Sequence, residues 1–104
     1  MAELRTIIQK VEEDAGVAWL TFNRPEKKNA LSQRLMIEMI EVLKELGDND
    51  KIKCIVTTGS GDSYSSGLDL YDLRENWKRK RPWDQSGSTY EIVRLLRNMP
   101  QVTV

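Results

Sequence analysis

The segment from Ser32 to Gly47 constrains the fold most, because its apolar residues recur with the period of an α-helix. They stand three and four positions apart: Leu35, Met36, Met39, Ile40, Leu43 and Leu46. Ser32 fits a helix N-cap, and Gly47 fits the position at which such a helix ends. A helix with one apolar face has to pack on another layer, so the segments around it must supply that layer.

Three segments with strand character flank this helix. They are residues 6–12, 17–22 and 52–58, and the first two are joined by the turn Asp14-Ala15-Gly16 into a hairpin. The second segment is almost wholly apolar, so it is predicted to be buried on both faces or in a tight sandwich. The order strand, strand, helix, strand predicts an α/β fold in which the strands share one sheet beneath the helix.

A second helix and a further strand are predicted near the end of the chain. Ser88-Thr89-Tyr90-Glu91 has the pattern of a capping box, and Pro100 ends the helix that it opens. The apolar face of this helix is predicted to hold Ile92, Val93, Leu95, Leu96 and Met99. Residues 100–104 then begin a strand that is too short to complete a sheet. We therefore expect the 104 residues to be the front part of a longer protein.

The composition narrows the class of protein. Lys plus Arg and Asp plus Glu number 16 each, so no net charge favours binding to nucleic acid or to an anionic membrane. No apolar run approaches the ~20 residues of a membrane span, and the first residues lack a signal core. Cys54 is the single cysteine, which fits a reducing cytosol, and there is no histidine, the commonest metal ligand. We expect a soluble cytoplasmic protein with no metal site.

The loop from Gly59 to Gly67 is the first candidate for a ligand site. It follows a predicted strand and precedes a predicted short helix at residues 68–73. The carboxyl ends of strands and the N-termini of helices favour ligands, anions in particular. The loop lacks the Gly-Lys-Ser/Thr of a phosphate-binding loop and the spacing of a dinucleotide fingerprint. A plain strand-to-helix turn that needs flexible glycines is the simpler alternative.

Other polar residues have both a chemical and a structural interpretation. Asp69 and Asp72 could act as an acid pair, although an Asp near a helix start also stabilises the helix dipole. Tyr64 could donate a proton, but a loop tyrosine more often packs. Cys54 fits a small core residue better than a nucleophile. The basic segment 78–81 could grip a phosphate or a nucleic acid, but a solvated charged loop is favoured by the balanced charge.

Two stretches together point beyond a generic α/β fold. One is residues 17–32, VAWLTFNRPEKKNALS, and the other is residues 55–59, IVTTG, followed by residues 64–70, YSSGLDL. They resemble the crotonase superfamily, the enoyl-CoA hydratase/isomerase proteins. That family has a strand followed by Asn-Arg-Pro and Asn-Ala-Leu, an amphipathic helix, a strand ending in Thr-Gly, and then Ser-Ala-Gly-Ala-Asp-Leu. The resemblance extends from about Val11 to Val104 with matching order and gaps.

The resemblance implies a fold of strand-strand-helix repeats arranged in a spiral, of which this chain holds an incomplete set. It also implies assembly as a homo-trimer or hexamer. The implied ligand is an acyl-CoA thioester, whose coenzyme A is part of the substrate, so no separate cofactor is expected. In this family two backbone N–H groups form an oxyanion hole that holds the thioester carbonyl as it becomes an enolate.

Specific residues follow from the resemblance by position. The Leu68 N–H matches the first oxyanion donor, and Lys28 and Ala30 match a stretch that lines the coenzyme A groove. The positions that match the surrounding binding loop are Ser66, Gly67 and Asp69. Family members usually have Ala where Ser66 and Leu68 stand. A backbone donor tolerates this difference, but the larger Leu68 side chain must find room.

Alternatives to a complete enzyme remain open at this point. The second oxyanion donor and the hydratase glutamates of the family match positions beyond Val104, so we expect the 104 residues alone to be inactive. A truncated relative that only binds coenzyme A or partner subunits is a second hypothesis. A third is an unrelated small α/β module that binds a partner through residues 78–81.

Overall fold

The computed structural model describes residues 4–69 and 89–104. In chain order the elements are β1 (Ile7–Glu12), β2 (Val17–Phe22), a 3-10 turn (Pro25–Lys27), α1 (Gln33–Gly47), β3 (Cys54–Gly59), α2 (Thr89–Asn98) and β4 (Val102–Thr103). The strands form a four-stranded sheet in the order β1-β2-β3-β4. The β1–β2 pair is antiparallel, and the β2–β3 and β3–β4 pairs are parallel. The predicted α/β sheet is therefore confirmed.

Helix α1 covers one face of the sheet. Its Ser32 cap is confirmed, because the Ser32 hydroxyl accepts a hydrogen bond from the Leu35 N–H at 3.1 Å. The apolar residues of the shared core lie on both layers: Ile7, Ala18, Leu20, Phe22, Leu35, Met39, Val42, Leu43, Leu46, Ile52 and Ile55. Burying each large side chain of this set contributes about 1.5–3 kcal/mol. The helix end differs slightly from expectation, since Gly47 is its last residue and Asp48 is the cap.

Strand β2 is buried on one face rather than two. Ala18, Leu20 and Phe22 are buried against the helices, whereas Trp19 is 40% exposed on the opposite side. The prediction of a strand buried on both faces is therefore wrong. Five of the six residues of β2 are apolar, and they stand on both faces, so the sequence does not mark which face meets water.

Helix α2 packs against the same core and leads into β4. Ile92, Leu95, Leu96 and Met99 pack on the core, but Val93 was wrongly predicted to share their face and is 48% exposed. Strand β4 joins the sheet through bonds from the Val102 N–H to the Lys53 carbonyl (3.0 Å) and from the Val104 N–H to the Ile55 carbonyl (2.9 Å). The predicted final strand is thus confirmed.

Strands β2 and β3 end together, and this arrangement positions the candidate site. Phe22 is opposite Gly59 in the parallel register, so both strands end at the same edge of the sheet. The loops that follow, residues 23–32 and 60–69, therefore leave side by side, and the Ser60 N–H donates to the Phe22 carbonyl at 2.9 Å. Within the described ranges, no helix is both long and apolar enough to cross a membrane.

Candidate functional site

Asn29 joins the two loops at the edge of the sheet. Its side chain is fully buried, and its Oδ1 accepts a hydrogen bond from the Arg24 N–H at 2.8 Å. Its Nδ2 donates to the Ser60 carbonyl at 2.8 Å and to the Ser63 carbonyl at 2.7 Å. Asn29 has a φ of 55°, in the left-handed region that asparagine enters more readily than most residues. One buried amide therefore fixes the distance between the loops.

A short parallel bridge continues this junction towards the predicted donor. The Leu31 N–H donates to the Gly67 carbonyl at 2.7 Å, and the Asp69 N–H donates to the Leu31 carbonyl at 3.1 Å. A third backbone bond, from the Ser66 N–H to the Lys28 carbonyl, measures 3.0 Å. The segment on either side of Leu68 is thus held by the backbone of the opposite loop.

The orientation of the Leu68 N–H follows from this bridge. The Gly67 carbonyl and the Leu68 N–H belong to one trans peptide group, so they point in opposite directions. Because the carbonyl faces Leu31, the Leu68 N–H faces away from it. Across residues 4–69 and 89–104, this N–H has no backbone acceptor. Gly67 adopts a φ of 96°, and, its two chain neighbours apart, no atom of the described residues lies within 4 Å of a Cβ atom added to it.

An ion pair lies next to the bridge. The Arg24 guanidinium donates through Nη2 to the Asp69 carboxylate at 3.0 Å and through Nη1 to the Ala30 carbonyl. The Arg24 side chain is 15% exposed and the Asp69 side chain is 12% exposed, so the pair is largely removed from water. Such a pair is strong when both ends are hydrogen-bonded and costly when one partner is removed. This ion pair is therefore a further link between the two loops.

Two cavities border the loop that was predicted as a ligand site. A cavity of about 170 Å³, here termed the polar cavity because four of its six lining residues are polar or charged, is lined by Pro25, Lys28, Ser60, Gly61, Asp62 and Ser63. A mainly apolar cavity of about 290 Å³ lies between the helices and the sheet, and Tyr64 and Ser65 line it on the loop side. The Tyr64 ring packs on Phe22 with centroids 5.1 Å apart, and its hydroxyl lies 2.9 Å from the Thr57 Oγ1. The packing interpretation of Tyr64 therefore agrees with the structure.

The residues singled out by the resemblance lie together in these two loops. Lys28 is exposed, with a φ of 52°, whereas Ala30 is buried and its carbonyl accepts from Arg24. Ser66 is exposed, and the Leu68 side chain is 50% exposed. The Asp69 carboxylate is engaged by Arg24.

Four of the sequence predictions fall wholly or partly outside the described residues. They are Asp72, the basic segment 78–81, the capping box predicted to begin at Ser88, and all but the first two residues of the short helix predicted at 68–73. Those first two residues, Leu68 and Asp69, lie in the bridge opposite Leu31.

Sequence reasoning did not identify Arg24 and Asn29 as residues that shape the site. Both stand within the motif quoted above, yet their partners lie far along the chain: Asp69 is 45 positions from Arg24, and Ser63 is 34 positions from Asn29. The signal available in the sequence was the position of these two polar residues, one on each side of the exposed turn 25–28. A buried asparagine in a loop is uncommon unless its amide is fully hydrogen-bonded.

Glu38 is a buried acid away from these loops. Its Oε1 accepts from the Arg5 and Thr6 N–H groups at 2.9 Å each, and its Oε2 accepts from the Arg34 Nε. Burial acts to raise the pKa of this carboxyl, but the hydrogen bonds from Arg34, Thr6 and Arg5 outweigh burial and lower the pKa below its ordinary value of 4.5. Glu38 therefore anchors the residues that lead into β1 on helix α1.

Comparisons with known proteins cover almost the whole chain. Residues 12–104 match the family model described as enoyl-CoA hydratase/isomerase. Hydroxycinnamoyl-CoA hydratase-lyase of Pseudomonas fluorescens is 44% identical over 61 residues, which are 59% of this chain and 22% of that protein. The 1,2-epoxyphenylacetyl-CoA isomerase of Escherichia coli (strain K12) is 32% identical over 103 residues, which are 94% of this chain and 38% of that protein.

Solved structures contain the same arrangement of strands and helices. The crystal structure of an enoyl-CoA hydratase/isomerase from Pseudoalteromonas atlantica T6c matches with a TM-score of 0.77 and 23% identity, over 96% of this chain and 37% of that one. At 23% identity, this match establishes the fold of the chain alone. The chain spans between 22% and 38% of the lengths of the proteins named here.

Proposed function

Because this chain belongs to the enoyl-CoA hydratase/isomerase family, we propose that the protein containing it binds an acyl-CoA thioester and stabilises the enolate formed from it. The Leu68 N–H is the proposed donor of one of two oxyanion hydrogen bonds. The bond from the Leu31 N–H to the Gly67 carbonyl carries this proposal, because it turns the Leu68 N–H away from the backbone of the opposite loop. The N–H is then free to donate to an oxygen on which negative charge develops.

The energetic role of such a donor is larger in the transition state than in the bound substrate. A preorganised N–H contributes about 3–4 kcal/mol when it meets the charged oxygen, and it needs no rearrangement at the moment of reaction. The same N–H contributes less to binding the uncharged thioester carbonyl, so its removal lowers turnover more than affinity. The fixed bridge to Leu31 supplies the required rigidity.

The coenzyme A part of the ligand is proposed to lie along the loop that holds Lys28 and Ala30. The exposed Lys28 side chain borders the polar cavity and would bring a positive charge to a phosphate group. Ala30 is buried, and its backbone N–H and carbonyl are already bonded to the Lys27 carbonyl and to Arg24. We therefore assign Ala30 a role in the shape of the groove. Ser66, Gly67 and Asp69 surround the donor.

The reaction is proposed at the level of its class, as that of a hydratase or isomerase acting at the carbons next to the thioester. Coenzyme A enters as part of the substrate, and the proposal involves no further cofactor. By the same resemblance, we propose that the whole protein assembles as a homo-trimer or hexamer. A cytoplasmic location stays a prediction from the sequence.

Two substitutions at Leu68 test the proposal in the protein that contains this chain. Leu68→Pro removes the N–H, and Leu68→Ala keeps the N–H while shortening the side chain to the residue usual in the family. We expect Leu68→Pro to lower turnover of an acyl-CoA panel by about 10²–10³-fold, with a much smaller change in affinity. Leu68→Ala should keep turnover within a few-fold. Circular dichroism establishes that both variants are folded.

The result for a folded Leu68→Pro variant decides the matter. Turnover equal to that of the unmodified protein would show that the Leu68 N–H is not an oxyanion donor. Absence of acyl-CoA binding by the unmodified protein, measured by calorimetry across the same panel, would remove the proposed function as a whole.

A further inference from the structure

We propose that Arg24 is a positioning residue that aims the Leu68 N–H, acting through the Asp69 carboxylate and the Ala30 carbonyl. This inference rests on the proposed function, since it concerns the donor that the proposed reaction uses. Both terminal nitrogens of Arg24 are bonded within the protein, to the Ala30 carbonyl and to the Asp69 carboxylate. Its effect on the reaction is therefore indirect.

The argument begins with the position of the two acceptors. Ala30 directly precedes Leu31 on one side of the bridge, and Asp69 directly follows Leu68 on the other. The Arg24 guanidinium contacts both acceptors, so one rigid, planar group ties together the two segments whose separation sets the Leu31–Gly67 hydrogen bond. Because that bond fixes the Leu68 peptide plane, a change in the separation would turn the donor.

Arg24 is also held from its own backbone. Its N–H donates to the buried Asn29 side chain, and its carbonyl accepts from the Lys27 and Asn29 N–H groups at 3.0 and 2.8 Å. The side chain that carries the guanidinium therefore extends from a backbone position that is hydrogen-bonded on both sides. The guanidinium is in turn restrained by its own bonds to the Ala30 carbonyl and the Asp69 carboxylate.

Because the Arg24–Asp69 ion pair is largely buried, its loss is expected to move the Leu68 peptide group. In the intact pair the Asp69 side chain is only 12% exposed, and without Arg24 its charge would no longer be compensated by the guanidinium. The carboxylate would gain free energy by moving towards water. Asp69 is covalently joined to Leu68, so this movement would shift the peptide group that carries the donor.

The alternative is that the ion pair only stabilises the fold. The two roles differ in what they change. A purely structural pair lowers the melting temperature and leaves the folded enzyme with normal kinetics. A positioning pair lowers kcat with little change in KM, and it weakens polarisation of the bound thioester carbonyl, because a misplacement of about 1 Å can reduce rate by ~10²-fold.

The test compares Arg24→Met, Arg24→Lys and Asp69→Asn with Arg34→Met in the protein that contains this chain. Arg34 is a matched control, because it too pairs with a buried carboxylate, that of Glu38 on α1. For each variant, kcat and KM are measured with an acyl-CoA that the unmodified protein turns over. Raman difference spectra of a bound, unreactive acyl-CoA thioester then report the shift of its carbonyl stretch, and melting temperatures report stability.

We expect Arg24→Met and Asp69→Asn each to lower kcat by about 10–100-fold, to change KM by less than about threefold and to reduce the carbonyl shift. Arg24→Lys should retain part of the activity, since an ammonium group can pair with Asp69 but lacks the planar fork. Arg34→Met should lower the melting temperature while leaving kcat and the carbonyl shift unchanged. The double variant Arg24→Met/Asp69→Asn should be no worse than the poorer single variant.

The inference is overturned if folded Arg24→Met or Asp69→Asn keeps both its kcat and its carbonyl shift. Should Arg24→Met fail to fold, Asp69→Asn, which keeps the size of the side chain, decides the question on the same criteria. An unmodified protein that binds acyl-CoA without any carbonyl shift would instead contradict the proposed oxyanion function. The two failures are therefore distinguishable.

Discussion

The Asn29 side chain donates a hydrogen bond to the Ser63 carbonyl at 2.7 Å, and this contact closes the loop that follows β3 onto the turn that follows β2. Asn29 has no exposed surface, and its side chain makes two further hydrogen bonds, one to the Ser60 carbonyl and one from the Arg24 N–H. All three partners are backbone groups, so the junction does not depend on which side chains the loops carry.

Removal of this amide should be costly. We expect Asn29→Ala to lower the free energy of unfolding by about 2–4 kcal/mol, because three hydrogen bonds are lost and two partly buried carbonyls lose a donor. Urea denaturation of the protein that contains this chain measures the effect. Asn23→Ala is the control, since the exposed Asn23 side chain accepts a single bond from the Ser60 hydroxyl and its loss should cost less than about 0.5 kcal/mol. Equal losses for the two variants would contradict the assigned role.

Glu38 should make stability depend on pH in the acid range. Its folded pKa lies below the ordinary value, so the carboxylate stabilises the fold above pH 4.5, and this contribution is lost as the pH falls through the lowered pKa. Glu38→Gln should therefore destabilise the protein by about 1–3 kcal/mol at neutral pH and should flatten the loss of stability on acidification.

Unfolding curves at several pH values between 3 and 7 would test this expectation, a range set by the ordinary carboxyl pKa of 4.5. Glu41→Gln, on the exposed face of the same helix, is the control and should leave the pH dependence unchanged. An acid profile that is identical for Glu38→Gln and the unmodified protein would show that this carboxyl does not control it.

Two glycines should respond to alanine for different reasons. A Cβ atom at Gly59 would approach the Ser63 and Tyr64 carbonyls and the Asn29 amide to less than 3.0 Å, so Gly59→Ala should cost about 3 kcal/mol or more. Gly67 has open space beside it but a φ of 96°, so Gly67→Ala should cost about 1–3 kcal/mol from backbone strain alone. Thermal unfolding of both variants measures which of them loses more stability. A larger loss of stability for Gly67→Ala than for Gly59→Ala would contradict this prediction.

A polypeptide of these 104 residues should associate when it is prepared alone. Strand β4 forms an edge of the sheet, and Val102 and Val104 are 64% and 71% exposed there. Exposed edge strands with apolar side chains pair readily with other chains, and an edge lysine prevents this. Analytical ultracentrifugation should show assemblies that Val102→Lys reduces, whereas Lys10→Arg on β1 should not change them. A monomer that melts cooperatively at high temperature would contradict the prediction.

The sequence predicted what depends on near neighbours and on a known motif. The Ser32 cap and the α1 core face follow from spacing along one helix, and the strands follow from short apolar segments. The exposure of Trp19 did not follow, because the apolar residues of β2 point to both faces of the strand and so do not show which side faces water. The partners of Arg24 and Asn29 were also out of reach, since each contact joins segments that only the parallel β2–β3 register brings together. The orientation of the Leu68 peptide required the observed bridge.

The aim of the Leu68 N–H is set by the carbonyl on the other end of its own peptide group. The side chain at this position contributes nothing to the donor, and half of its surface is exposed. Under the proposed function, the chemical step and the local shape of the site are therefore separately adjustable at a single position. Leucine in place of the alanine that is usual in the family can restrict which acyl groups fit. The hydrogen bond from the backbone N–H of this residue to the thioester oxygen stays the same.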